Sequence, residues 1–240
     1  MSQYTTYPRA LSVLTLVALA SVVFASALAT QAVIAADKPK SPVKLSKKVQ
    51  TVIERVERQC RERPVYMIGP EKAKRLAELV RQKKPRLVVE CGTALGYSGL
   101  WIASQLDANG AGKLVTIEIE PSRSREAKQN FAEAGLADYV EAKVGNAREV
   151  VREIDGPIDF VFIDCGYSNY LPCLTGLEDE LADGAIIVAD NVGIGASGMK
   201  DYLDHVRKKY RSRTEWFELD LPWAKRDAME VSVVDSSAGD

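Results

Sequence analysis

Hydrophobic positions fall into two regimes along this chain. Residues 10–36 form an unbroken stretch without a charged side chain, rich in Ala, Val and Leu. From residue 49 onward, apolar residues instead recur at helical spacing or gather in short runs bounded by Gly and Pro. Val49, Val52, Ile53 and Val56 share one face and predict a helix over 49–61, closed before Pro64. Leu76, Leu79 and Val80 predict a second over 71–82, opened by Pro70. After Pro85 the pattern alternates. Strands are expected at 86–91, 113–118, 139–144, 158–164 and 185–190. Between and after them come helices at 98–106, 122–134, 147–154, 170–181 (interrupted by Gly176) and 198–210. Two final strands, 214–219 and 228–234, have no helix between them and read as a hairpin-like end. The expected fold class is α/β: a doubly wound, mostly parallel seven-stranded sheet, helices on both faces, with an antiparallel last strand.

In such a sheet, ligands sit beyond the carboxyl ends of the strands. Glu90, Glu118, Asp164 and Asp190 all fall at such ends. After the first strand comes Glu90-Cys-Gly-Thr-Ala-Leu-Gly96, a glycine turn leading into a helix. Glycines there let the backbone approach a ligand, and the helix start offers free N–H groups. Glu118 follows within the roughly twenty to thirty residues after the glycine turn at which nucleotide-type folds hold a ribose diol. The glycine spacing is G-x-x-x-G, which tilts away from a nicotinamide dinucleotide.

Asp164 and the pair Asp190-Asn191 end neighbouring apolar runs. Two carboxylates and an amide oxygen make a hard, all-oxygen set suited to Mg²⁺ or Ca²⁺ rather than zinc. The competing structural reading is that both aspartates cap the turns that follow them.

These segments carry a family resemblance. Met67-Ile-Gly-Pro70, Val89-Glu-Cys-Gly-Thr-Ala-Leu-Gly-Tyr-Ser98, Val115-Thr-Ile-Glu-Ile-Glu-Pro121, Phe162-Ile-Asp164, Asn169-Tyr-Leu-Pro172 and Ala189-Asp-Asn-Val192 occur in that order. Between residues 67 and 234 the chain resembles the class I S-adenosylmethionine (SAM)-dependent O-methyltransferases. Within them it is similar to the cation-dependent group of catechol and caffeoyl-CoA O-methyltransferases. The resemblance implies a Rossmann-like methyltransferase fold over 49–240 and methyl transfer to a small catechol-like aromatic. It implies that Ile68, Glu90, Gly92, Thr93 and Ser98 line the methionine side of SAM. Glu118 would bind the ribose hydroxyls, Ile119 and Ala147 the adenine, and Asp164 would sit near the transferred methyl. Asp164, Asp190 and Asn191 would hold Mg²⁺ or a similar divalent cation. A homodimer is the matching expectation for assembly.

Three departures from the family pattern stand out. The lysine that members carry three residues after the first metal aspartate is Tyr167 here, the candidate base by position, although its ordinary pKa near 10 suits that task poorly. The catechol enzyme's aromatic gate is matched by Gly166. Its late acid, which holds the second catechol hydroxyl, falls near Leu221 and Pro222.

Composition narrows the partners. The chain has 240 residues, a net charge of -1 and 46% hydrophobic residues, enough for one domain with a sizeable core. That balance gives no electrostatic case for nucleic acid. Residues 1–37 read as a signal peptide or membrane anchor, and 38–48 as a Lys/Pro linker. Lys38, Lys40, Lys44, Lys47 and Lys48 lie downstream against Arg9 alone upstream. The positive-inside rule then favours an anchor (residues 10–36 as tether) with the catalytic domain in the cytoplasm. Export after cleavage is the alternative.

Cys60, Cys91, Cys165 and Cys173 form no C-x-x-C pair, so a zinc site is not expected, and Cys91 reads as a core residue. His205 sits on a charged helix face and reads as a surface residue; Trp223 reads as core or rim packing. Two other functions compete with the transferase: a tethered SAM-binding protein without turnover, and a nicotinamide oxidoreductase.

Overall fold

The computed structural model describes residues 43–63 and 65–235. The signal-or-anchor segment lies outside the described residues, as does the linker up to residue 42. Among the described residues, no helix is long and apolar enough to cross a membrane.

Two helices precede the sheet. Helix α1 (Lys47–Glu62) starts inside the expected linker, because the Ser46 side chain caps it by accepting from the Val49 amide. It buries Val49, Val52, Ile53, Val56 and Cys60. Helix α2 (Pro70–Lys83) has Pro70 in its first turn, where a missing N–H costs nothing. Both lie against α3 (Tyr97–Asn109), which is buried from Tyr97 to Leu106 and therefore lacks a polar face. Gly110, at φ 69°, ends α3 in the left-handed region.

The sheet has seven strands: β1 (Leu87–Cys91), β2 (Lys113–Glu118), β3 (Val140–Val144), β4 (Ile158–Ile163), β5 (Leu181–Ala189), β6 (Arg211–Glu218) and β7 (Arg226–Val233). Their order is β3-β2-β1-β4-β5-β7-β6. β1 to β5 run parallel; β7 is antiparallel to both β5 and β6. Helices α4 (Pro121–Ala134), α5 (Ala147–Val150), α6 (Tyr170–Thr175) and α7 (Lys200–Lys209) complete the cover. β1 and β4 are central and read as near-continuous apolar runs because both of their faces are covered.

The chain leaves β1 toward β2 on one side, while β4 lies on the other. The crevice therefore opens above the carboxyl ends of β1 and β4, where such sheets bind ligands.

The expected alternation is present, with local differences. The helix expected over 170–181 ends at Thr175, followed by a short 3-10 turn (Glu178–Glu180), and β5 begins at Leu181. Gly176 abuts Val151, where an added Cβ would lie 2.8 Å from the valine methyl. The stretch expected as helix over 147–154 is one turn of α-helix continued by a 3-10 turn (Val151–Glu153).

Candidate active site

A cavity of about 730 Å³ opens at the carboxyl ends of the parallel strands. Ile68, Gly92, Thr93, Ser98, Glu118, Ile119, Ala147, Asp164, Tyr167, Asp190 and Asn191 all line it. Of the site residues expected from sequence, only Glu90 lies behind the wall, fully buried.

The floor is the turn after β1. Gly92 has φ 105°, and an added Cβ would lie 2.0 Å from the Asp164 carbonyl oxygen. No other residue type fits there. The Asp164 amide in turn donates to the Cys91 carbonyl at 2.9 Å. Glu90 supports this turn from beneath. Its carboxylate accepts from the Ser98 hydroxyl at 2.5 Å and from the Thr116 hydroxyl at 2.6 Å. Thr116 also pairs with Thr93 at 2.5 Å. Burial raises the Glu90 pKa to about 7, against the opposing pull of the two hydroxyls. Glu90 thus sets Ser98 directly, and Thr93 through Thr116.

On one side stands Glu118, at the end of β2. Its carboxylate accepts from the Ala94 amide at 2.8 Å and the Glu120 amide at 3.0 Å. Two backbone donors fix both oxygens in place and leave lone pairs for a ligand. Ile119 follows it at the rim, 69% exposed: an apolar surface presented to the opening.

On the other side is a charged cluster that sequence reading grasped only in part. The Asp190 carboxylate is met by the buried ammonium of Lys72, 2.7 and 2.8 Å from its two oxygens. Lys72 also donates to Asp227 at 2.8 Å. Asn191, at φ 58°, donates to both Asp190 and Asp227 at 3.1 Å. The other Asp227 oxygen accepts from the Gly193 and Ile194 amides. Burial raises Asp190 to about 6 despite the Lys72 charge. For Asp227 burial acts the same way, but Lys72 and the other donors outweigh it and hold that carboxyl low. Lys72 stays charged: burial opposes it, and the two aspartates win.

Asp164 faces the cavity from the end of β4 with no hydrogen-bond donor on its carboxylate among the described residues. Its pKa is pushed well up by desolvation and by the Asp190 charge. When Asp164, Asp190 and Asp227 are all ionised, Lys72 offsets one of their three negative charges. Asp164, Asp190 and the Asn191 amide are also hard oxygen donors. The residues therefore fit a divalent ion, although no three His, Cys, Asp or Glu side chains among the described residues converge as a metal-binding group.

Tyr167 lines the cavity just after the end of β4. Its ring lies on the 195–198 turn, where a Cβ at Gly195 would sit 2.7 Å from the phenol ring. Burial and then the charges of Asp227, Asp164 and Asp190 push its pKa above the ordinary value. A phenol shifted in that direction is a worse base at neutral pH. Across the opening, Tyr66 and Trp223 pack edge to face at 5.4 Å. Leu221, where the family places an acid, is buried and apolar.

The chain is similar to known methyltransferases. The profile described as a methyltransferase domain matches residues 89–192. Catechol O-methyltransferase B of Danio rerio is 33% identical over 193 residues, 77% of this chain and 72% of that protein. Catechol O-methyltransferase of Niastella koreensis is 34% identical over 54% of this chain; the match spans 59% of that enzyme's length. Among solved structures, the O-methyltransferase TomG of Streptomyces achromogenes, in complex with SAM, superposes with a TM-score of 0.68 at 25% identity. That match covers 91% of this chain and 96% of TomG.

Proposed function

Because the chain belongs to the class I SAM-dependent O-methyltransferases, we propose that this cavity transfers the sulfonium methyl of SAM to a hydroxyl of a small aromatic diol. The nicotinamide alternative falls with that membership. One observation carries the reading. A carboxylate locked for a diol (Glu118) and a carboxylate without a donor (Asp164) face the same cavity.

In this reading Glu118 accepts from the ribose hydroxyls and Ile119 covers the adenine, with Ala147 at its edge. Ile68, Gly92, Thr93 and Ser98 line the methionine end. Asp164 places negative charge beside the sulfonium. Asp164, Asp190 and Asn191 would hold Mg²⁺ or a similar ion, and such an ion, when bound, lowers the pKa of an acceptor hydroxyl and fixes its oxygen. Lys72 keeps Asp190 charged and aimed. Positioning then supplies most of the acceleration, since the methyl group passes directly between two held atoms.

Tyr167, Tyr66 and Trp223 form apolar walls for the acceptor ring. We assign Tyr167 to that wall and not to proton removal. With Leu221 in place of an acid, no carboxylate holds the second hydroxyl, so the acceptor is selected mainly by ring contacts. A panel of catechols with methyl-labelled SAM and Mg²⁺ tests this; methylated product is expected. A SAM-binding protein without turnover is the second reading, favoured by Tyr167 standing where the family has lysine. Binding of S-adenosylhomocysteine without any product would support it. Residues 10–36 are proposed as a membrane tether with the domain on the cytoplasmic side. Membrane fractionation of the full chain with protease accessibility tests that.

A further inference from the structure

Most of the large apolar side chains left exposed among the described residues gather around one opening. Tyr66, Ile119, Tyr167 and Ile194 line the cavity, and Trp216 abuts Gly193, next to Ile194. A lone exposed apolar residue is ordinary, but a contiguous group at a cavity mouth marks a binding surface. The turn after Asn191 joins three of them. An added Cβ at Gly193 would lie 2.9 Å from the Trp216 ring, and one at Gly195 would lie 2.7 Å from the Tyr167 ring. Ile194 stands between those two contacts. Tyr167, Ile194 and Trp216 are 39%, 53% and 53% exposed, so the strip they form is open from the cavity outward. It is also held in place. The Val192 amide donates to the Ala228 carbonyl at 3.0 Å, and the Gly195 amide to the Asn191 carbonyl at 2.7 Å. The Gly193 and Ile194 amides donate to one Asp227 oxygen at 3.1 and 3.0 Å. The Arg226 guanidinium lies 4.6 Å from the centroid of the Trp216 ring and steadies the indole. Side chains fixed beforehand lose little freedom when a ligand arrives.

We propose that this strip selects the acceptor: the aromatic diol carries an apolar substituent, alkyl or aryl, that leaves the cavity past Tyr167, crosses Ile194 and rests on Trp216. The inference rests on the transferase reading of the cavity and names the substrate class within it. The place of the turn supports it. Ile194 follows Asn191 by three residues, and its amide is held by Asp227, the carboxylate that also accepts from Lys72 and from the Asn191 amide. A ring whose hydroxyls face Asp164, Asp190 and Asn191 therefore has the strip beside it. Polar selection of the ring is weak, because Leu221 is buried and apolar where the family has an acid. Apolar area then supplies the discrimination: each methylene that leaves water for the strip tightens binding about three- to four-fold. The strip lies away from the reacting atoms, so the gain falls on KM and leaves kcat nearly constant.

The test measures the full-length protein with labelled SAM, Mg²⁺ and a series of 4-methyl-, 4-propyl- and 4-hexylcatechol. From the methyl to the hexyl member kcat/KM should rise at least about ten-fold, carried by KM. Trp216→Thr, which keeps a residue suited to a strand, should cut that rise to about three-fold or less. Ile194→Thr, whose backbone bonds are unchanged, should do the same and serves if the first variant folds poorly. A flat series in the parent overturns the proposal, whether or not sedimentation then shows the strip covered by a second copy of the chain. A rise that survives both substitutions overturns it as well. Product from no member of the series fails the transferase reading instead. The affinity of the same catechols, measured by equilibrium dialysis with S-adenosylhomocysteine and Mg²⁺ present, then decides the strip by itself. Affinity that climbs with chain length in the parent and not in the variants upholds it, and affinity that does not climb, or no binding at all, overturns it.

Discussion

Lys72 places its ammonium 2.7 and 2.8 Å from the two oxygens of Asp190, both side chains almost wholly buried. This contact joins α2 to the end of β5 and puts a permanent positive charge behind the site. Replacing one member of a buried pair leaves the other uncompensated, which costs about 3–5 kcal/mol. Lys72→Met should therefore lower stability in urea unfolding by roughly that amount. Adding Asp190→Asn to Lys72→Met should recover part of the loss. A Lys72→Met protein as stable as the parent would show that the pair is not a structural constraint.

Glu118→Ala should weaken S-adenosylhomocysteine binding by about ten-fold or more, the scale of a lost charged hydrogen-bond acceptor. Calorimetric titration of both proteins reads it. Equal affinities would remove Glu118 from the ribose role.

Tyr167→Phe separates wall from base. Without the hydroxyl the ring still packs on the 195–198 turn, so kcat should stay within about three-fold of the parent, where a lost general base costs about 10²-fold or more. Tyr167→Ala should act mainly on the acceptor KM. A collapse of kcat in the phenylalanine variant would return the hydroxyl to the proton transfer.

Stability should depend on pH through Glu90. Burial raises its folded pKa to about 7 from an ordinary 4.5, so the folded state prefers the protonated acid. That preference is fully present below about pH 4.5 and is lost as pH rises through about 7. Glu90→Gln, which cannot ionise, should lose less stability than the parent between pH 5 and 8. The gap should approach ~3 kcal/mol at the upper end. Parallel pH curves for the two proteins would contradict the raised pKa.

The sheet was legible because its strands are apolar on both faces and are punctuated by Gly and Pro. The start of β5 was not, since Asp183 and Gly184 break the apolar run there; Gly184 has φ 69° and the pairing with β4 shifts register between Leu181 and Ile186. The cosubstrate side of the site followed from acids and glycines at strand ends. Lys72 and Asp227 did not. Lys72 occupies a position on the apolar stripe of α2, four residues before Leu76, and that misplacement was its only signal. Asp227 sits at the start of its strand, whereas ligand-binding residues of a parallel sheet lie at strand ends. Because β7 runs antiparallel, its start reaches the same edge as the end of β5.

In the proposed function, the sulfonium donor and a divalent ion meet at Asp164. The most direct test is transfer of labelled methyl from SAM to catechol by the purified full-length protein in Mg²⁺, repeated with EDTA and with Asp164→Asn. Methylated product is expected in Mg²⁺, none in EDTA, and none from the variant even though it still binds S-adenosylhomocysteine. Undiminished product in EDTA, or from the variant, would contradict that reading.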